Sequence, residues 1–113
     1  MGYSRAVRVG KVIAVSGTAA SDKDGRIVGK GDAYAQTVYI IRKIEDSLKE
    51  LDADLRDVIR TRIYTTNIEK WEDIARGHRE YFGETKPATS MIQVSRLIDP
   101  DMLVEIEAEA IRE

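Results

Sequence analysis

The sequence predicts a two-layer α+β domain of order β-β-α-β-α-β-β, with both helices on one face of a mixed sheet. Three observations carry that prediction. Tyr34, Val38, Ile41, Ile44, Leu48 and Leu51 recur at helical steps of three or four. Pro87 to Val94 and Leu103 to Ala108 alternate as strands do. In the latter, Val104, Ile106 and Ala108 point one way and Glu105, Glu107 and Glu109 the other. A strand with one aliphatic and one acidic face needs two different neighbours. Residues 1–113 are expected to form one such domain.

The elements follow in order. Between Arg5 and Ser16, Val7 and Val9 alternate, and Lys11 to Val15 is an apolar run, with Gly10-Lys11 as the turn of a hairpin. Ser16-Gly17 closes the second strand, and Asp22-Lys23-Asp24-Gly25 is a turn cluster. Asp32 is a good N-cap for the long helix, whose outer face is expected to carry Gln36, Lys43 and Glu50. Val58 to Thr66 returns to period two, with Ile59, Thr61, Ile63 and Thr65 on one face and Val58, Arg60, Arg62 and Tyr64 on the other. Trp71, Ile74, Ala75, His78 and Tyr81/Phe82 mark a shorter helix from about Glu69 to Phe82, ended before Pro87. Asp99-Pro100-Asp101 joins the two closing strands. The helices are expected to cover Ile92, Val94, Val104 and Ile106, leaving Met91, Gln93, Glu105 and Glu107 on the second face.

Composition narrows the function classes. The formal net charge is −2 with both signs interspersed, so no basic stripe supports nucleic-acid binding. No run is apolar enough to cross a bilayer and the polar start lacks a signal-peptide core, so a cytoplasmic protein without a membrane partner is expected. Cysteine is absent, which removes disulfides, cysteine nucleophiles and thiolate metal sites. One histidine offers no second partner for a metal, so no metal or cofactor is expected. His78 reads as a satisfied, partly buried side chain, and Trp71, Tyr81 and Phe82 as core. Gly29-Lys30-Gly31-Asp32 lacks phosphate-loop spacing, and Asp32 would repel an anion.

Four segments resemble the Rid/YjgF family, also called the liver perchloric-acid-soluble protein family. Tyr3-Ser4-x-Ala6-Val7 is similar to its opening Pro-Tyr-Ser-x-Ala-Val, and Ser16-Gly17 to its Ser-Gly. Pro87-Ala88-x-Ser90-x-Ile92-x-Val94 resembles Pro-Ala-Arg-Ser-x-Val, and Val104-Glu105-Ile106-Glu107-Ala108 the closing Val-Glu-Ile-Glu-Ala. The resemblance implies a chorismate mutase-like fold and a homotrimer whose small-molecule clefts lie between subunits. In its deaminase branch it implies hydrolysis of 2-imino and enamine acids to 2-oxo acids and ammonia. An arginine after Pro-Ala would clamp the substrate carboxylate, and the glutamate would position water. It thereby makes Glu105 the candidate catalytic residue, and Tyr3, Gly17, Thr89, Ser90 and Met91 candidate substrate-binding residues.

Here the arginine position is Thr89. A hydroxyl cannot form the charged, bidentate fork, and losing about 1.5–3 kcal/mol would weaken carboxylate binding by about ten- to a hundredfold. Arg5 and Arg62 are candidates to replace it. Arg60, Arg62 and Arg96 are also possible ion-pair partners for Glu105. The leading reading is therefore a cleft that binds a small metabolite without the usual clamp. The alternative is an imine or enamine hydrolase with a changed anchor. Ribonuclease activity, attributed to some relatives, is weaker, because phosphate contacts dominate RNA affinity.

Overall fold

The hairpin, both helices and the later strands all form in the computed structural model, which describes residues 1–113. The elements are β1 (Ala6–Val9), β2 (Val12–Ala19), α1 (Ala33–Glu50), β3 (Val58–Thr65), α2 (Trp71–Phe82), β4 (Ala88–Gln93) and β5 (Val104–Ile111). The five strands lie in the order β1-β2-β5-β3-β4. β3 and β4 run parallel and the remaining pairs antiparallel, so the sheet is mixed.

Local chemistry explains the boundaries. Gly10 takes φ +61° in the two-residue β1–β2 turn, a left-handed value that glycine adopts without a Cβ penalty. The Asp32 side chain accepts from Ala35 N–H at 3.0 Å, capping α1 as its sequence position predicts. Short 3-10 turns over Leu55–Asp57 and Ile68–Lys70 lead into β3 and α2.

Both helices pack on one face of the sheet. Ile40, Ile41, Ile44 and Leu48 of α1 and Ile74 of α2 are fully buried over Ile63, Val104 and Ile106. Each such side chain contributes about 1.5–3 kcal/mol through its removal from water. α2 approaches α1 closely at Gly77, where a Cβ would come within 3.0 Å of the Thr37 methyl. That contact leaves no room for a side chain.

Four sequence expectations are corrected. Strand β4 has the opposite phase: Met91 pairs with Ile63 on the helix side, while Ile92 pairs with Tyr64 on the open side and is 47% exposed. Gln93, paired with buried Thr65, is also on the helix side rather than beside Glu105. Both faces of this segment carry aliphatic groups, so alternation alone could not choose between them. In β3, a register shift between Val58 and Arg60 places Val58 in the core and leaves Ile59 48% exposed. On α1, Gln36 is fully buried instead of outward-facing. Its amide donates to Gly29 and Asp101 carbonyls and accepts from Leu103 N–H, tying two loops to the helix. Trp71, expected in the core, is 52% exposed at the start of α2.

Candidate functional site

The open face of the sheet is built from alternate residues of β2, β5, β3 and β4. On β5 it carries Glu105, Glu107 and Glu109, all half-buried. Two of the three have partners. Arg62 Nη1 donates to Glu109 Oε1 at 2.6 Å and lies 3.7 Å from Glu107 Oε1. Tyr64 Oη donates to Glu107 Oε1 at 2.7 Å. These contacts raise the pKa of Arg62, chiefly through Glu109, and that of Tyr64, chiefly through Glu107. Arg62 is thus engaged by carboxylates of its own chain.

Glu105 has neither an ion pair nor a side-chain hydrogen bond. Burial, and then the charge of Glu107, push its carboxyl above the ordinary value. Arg60, Arg62 and Arg96 all leave it unpaired. Across the β2–β5 ladder the register shifts between Val15 and Thr18, and Ser16-Gly17 falls within that irregularity. A Cβ on Gly17 would lie 3.0 Å from Glu105 Cδ and Oε2. The absence of a side chain at Gly17 therefore makes the space for the carboxylate. β2 itself continues past Ser16-Gly17 to Ala19, longer than the sequence predicts.

Glu105 opens into a cleft of about 560 Å³ whose walls include Tyr3, Arg5, Gly17, Lys43 and Met102. Tyr3 and Gly17, both expected at the site, are thus brought to Glu105 within the one chain. Lys43 is the wall residue that its assignment to the outer helix face missed. It reaches inward from α1, and its Nζ donates to the carbonyls of Ala19 at 2.8 Å and Ser21 at 2.9 Å. Acceptors of this kind are backbone groups exposed by a strand end, which side-chain patterning does not reveal. Glu105 also borders a second cavity, of about 750 Å³, with Arg96, Ile98 and Pro100.

The remaining expected residues lie elsewhere in the chain. Ser90 is on the open face, paired with Arg62. Met91 packs against the helix-side core. Thr89 pairs with Thr61 on the helix side, so Thr89 and Glu105 are on opposite sides of the sheet. Thr89 Oγ1 donates to Pro87 O at 3.1 Å and lies 2.8 Å from Thr61 Oγ1, which lies 2.9 Å from His78 Nε2. The proton count in this chain is restrictive. With the Thr89 proton on Pro87 O, Thr61 must donate to Thr89, and His78 Nε2 must donate to Thr61. Burial lowers the His78 pKa, consistent with a neutral ring protonated at Nε2. His78 is the satisfied side chain that its position on the helix suggests.

Two helices on a five-stranded mixed sheet, with one face open and a carboxylate left unpartnered on it, define a two-layer α+β protein with a cleft at the sheet edge. The family model described as Endoribonuclease L-PSP matches residues 1–112, and the chain belongs to that family, also known as YjgF/Rid. A RutC family protein of Pyrococcus abyssi is 38% identical over 98% of this chain and 87% of its own. The 3-aminoacrylate deaminase RutC of Acinetobacter baylyi is 32% identical over 96% of this chain and 85% of its own. Among solved structures, a Mycobacterium tuberculosis member of the YjgF/YER057c/UK114 family superposes with TM-score 0.87 at 44% identity, covering 97% of this chain and 86% of that one.

Proposed function

We propose that the chain assembles as a homotrimer whose inter-subunit clefts take a small enamine or imine and hydrolyse it, with Glu105 as the acid–base residue. The single observation that carries this reading is the Glu105 carboxyl: sheltered, without a cationic or hydrogen-bonding partner, and facing a cleft. A carboxyl whose pKa is raised retains its proton longer, which suits it to give that proton to carbon. The similarity to a 3-aminoacrylate deaminase supports the substrate class.

The chemistry balances without a cofactor. Glu105 gives its proton to the enamine carbon remote from nitrogen, and the C–N bond becomes an iminium. Water attacks the iminium carbon, forming a C–O bond, and its proton returns to the Glu105 carboxylate. The amine then takes up the hydroxyl proton and leaves as ammonia while the carbonyl forms. Tyr3 and the Gly17 backbone form the wall against which the substrate lies.

Trimer assembly is supported by what the open face leaves uncovered. Val7, Val9, Val12 and Ile111 are 48%, 73%, 56% and 43% exposed. They cluster on β1, β2 and β5 and favour a protein neighbour over water. β4 is a free sheet edge. In the trimer its Thr89, Ser90 and Met91 would serve the neighbour's cleft, not that of their own Glu105.

A second reading, binding without turnover, is favoured by the commitment of the Thr89 hydroxyl to Pro87 O and Thr61. Ammonia release from 3-aminoacrylate generated in situ separates the two. Release clearly above the buffer rate is expected, together with a trimer in sedimentation. A rate equal to buffer from a well-folded trimer would leave only binding. A stable monomer at micromolar concentration would remove the shared cleft altogether. The acidic open face disfavours RNA, whose phosphates need cations.

A further inference from the structure

We propose that Arg5 and Lys43 form an anion subsite in the cleft, holding the carboxylate of a short substrate whose reacting end lies at Glu105. The inference rests on the small-molecule reading of that cleft and specifies the ligand as an acid. Arg5 and Lys43 line one cavity with Glu105, and Lys23 and Asp22 also border it, so it presents three cations against two carboxyls.

Arg5 and Lys43 are available in different ways. Arg5 lies just before β1, held by its own carbonyl, which accepts from Ser16 N–H at 2.9 Å. Its guanidinium forms no ion pair, whereas Arg62, the other candidate for a displaced clamp, is bound to Glu109 and lies beside Glu107. A guanidinium offers a planar fork that matches a carboxylate. Lys43 uses two of its three N–H groups on Ala19 and Ser21 carbonyls, leaving one donor.

Electrostatics agree with that arrangement. Burial, followed by the nearby Arg5 charge, lowers the Lys43 pKa, while Asp22 acts in the opposite direction. Asp22 forms no salt bridge with either cation, and its Oδ1 accepts from Asp24 and Arg26 N–H at 2.9 and 3.0 Å. Two neighbouring cations repel each other, and a bound anion relieves that repulsion. The cleft is therefore polarised, with an anion-seeking end at Arg5 and Lys43 and an acid at Glu105. This arrangement supplies by other residues the charge that Thr89 cannot.

The test uses the full-length assembled protein and a non-reactive probe pair, 3-hydroxypropionate and its neutral amide, titrated by calorimetry. Wild type is expected to prefer the acid, and Arg5→Gln to weaken acid binding by about ten- to a hundredfold while leaving the amide unchanged. Arg5→Lys should recover only part of the affinity. Lys43→Met should lower affinity for the acid as well, and circular dichroism of that variant reports whether its loop contacts survive. Wild type binding acid and amide alike overturns the proposal, as does an Arg5→Gln variant that binds the acid as tightly as wild type. Because the probes are not hydrolysed, Arg5-dependent binding would uphold the subsite even if no ammonia were released, which would sink only the hydrolase reading.

Discussion

Strand β5 ends in two different chemical worlds on a single face. At Glu107 and Glu109 the carboxylates are held by Tyr64 and Arg62, with contacts of 2.7 and 2.6 Å. At Glu105, four residues from Glu109 and on the same face, the carboxyl forms no ion pair or side-chain hydrogen bond, and Gly17, having no side chain, leaves room for it. Paired carboxylates on a sheet are structural. A sheltered carboxylate without a partner costs stability, so its retention points to use.

The sharpest way to break this comparison is to remove each carboxylate in turn. Glu105→Gln should reduce ammonia release from 3-aminoacrylate by about a hundredfold or more, the scale of a lost general acid–base group. Glu109→Gln should leave it within a few-fold. Equal losses in steady-state kinetics would show that the two ends do not differ in function.

The helix side supplies the next largest effect. Thr61→Val removes the central hydroxyl between His78 and Thr89, leaving a buried ring donor without its acceptor. The expected loss is about 1–3 kcal/mol in urea unfolding. A loss below a few tenths of a kcal/mol would mean that the chain of contacts contributes nothing.

Stability should then separate the two ends of β5 in the opposite sense to activity. Glu109→Gln weakens a half-exposed ion pair and should cost at most about 1 kcal/mol. Glu105→Gln removes a carboxyl whose charged form burial disfavours and should leave stability unchanged or raise it. A thermal shift of the same sign in both variants would contradict the contrast.

The smallest effect is a pH slope. The folded protein lowers the His78 pKa below its ordinary value of 6.5, so below that pH the unfolded chain binds the proton more readily. Stability should therefore rise with pH between the folded value and 6.5, and be flat in that window for His78→Gln once other groups are subtracted. An unchanged slope in the variant would remove His78 as its source.

Much of the fold was legible because the apolar residues of α1 and β5 fall on one helical stripe and one strand face. The phase of β4 was not, since Met91 and Ile92 are both aliphatic and only pairing with Ile63 and Tyr64 decides between them. Gln36 and Lys43 look like surface residues in sequence. They turn inward because backbone carbonyls at Gly29, Asp101, Ala19 and Ser21 accept from them. The site was half legible. Gly17 and Glu105 could be singled out, but their contact arises from a β2–β5 register irregularity between distant parts of the chain. The joint placement of Arg5 and Lys43 depends on the same strand end.

Direct titration of the Glu105 carboxyl carbon by NMR in the assembled protein tests the central claim. A midpoint above the ordinary value of 4.5, moved further when 3-hydroxypropionate occupies the cleft, is the predicted result. A midpoint at or below 4.5, unmoved by the probe, would mean that a neighbouring subunit supplies Glu105 with a cation, and the account of an open, working carboxyl would fail.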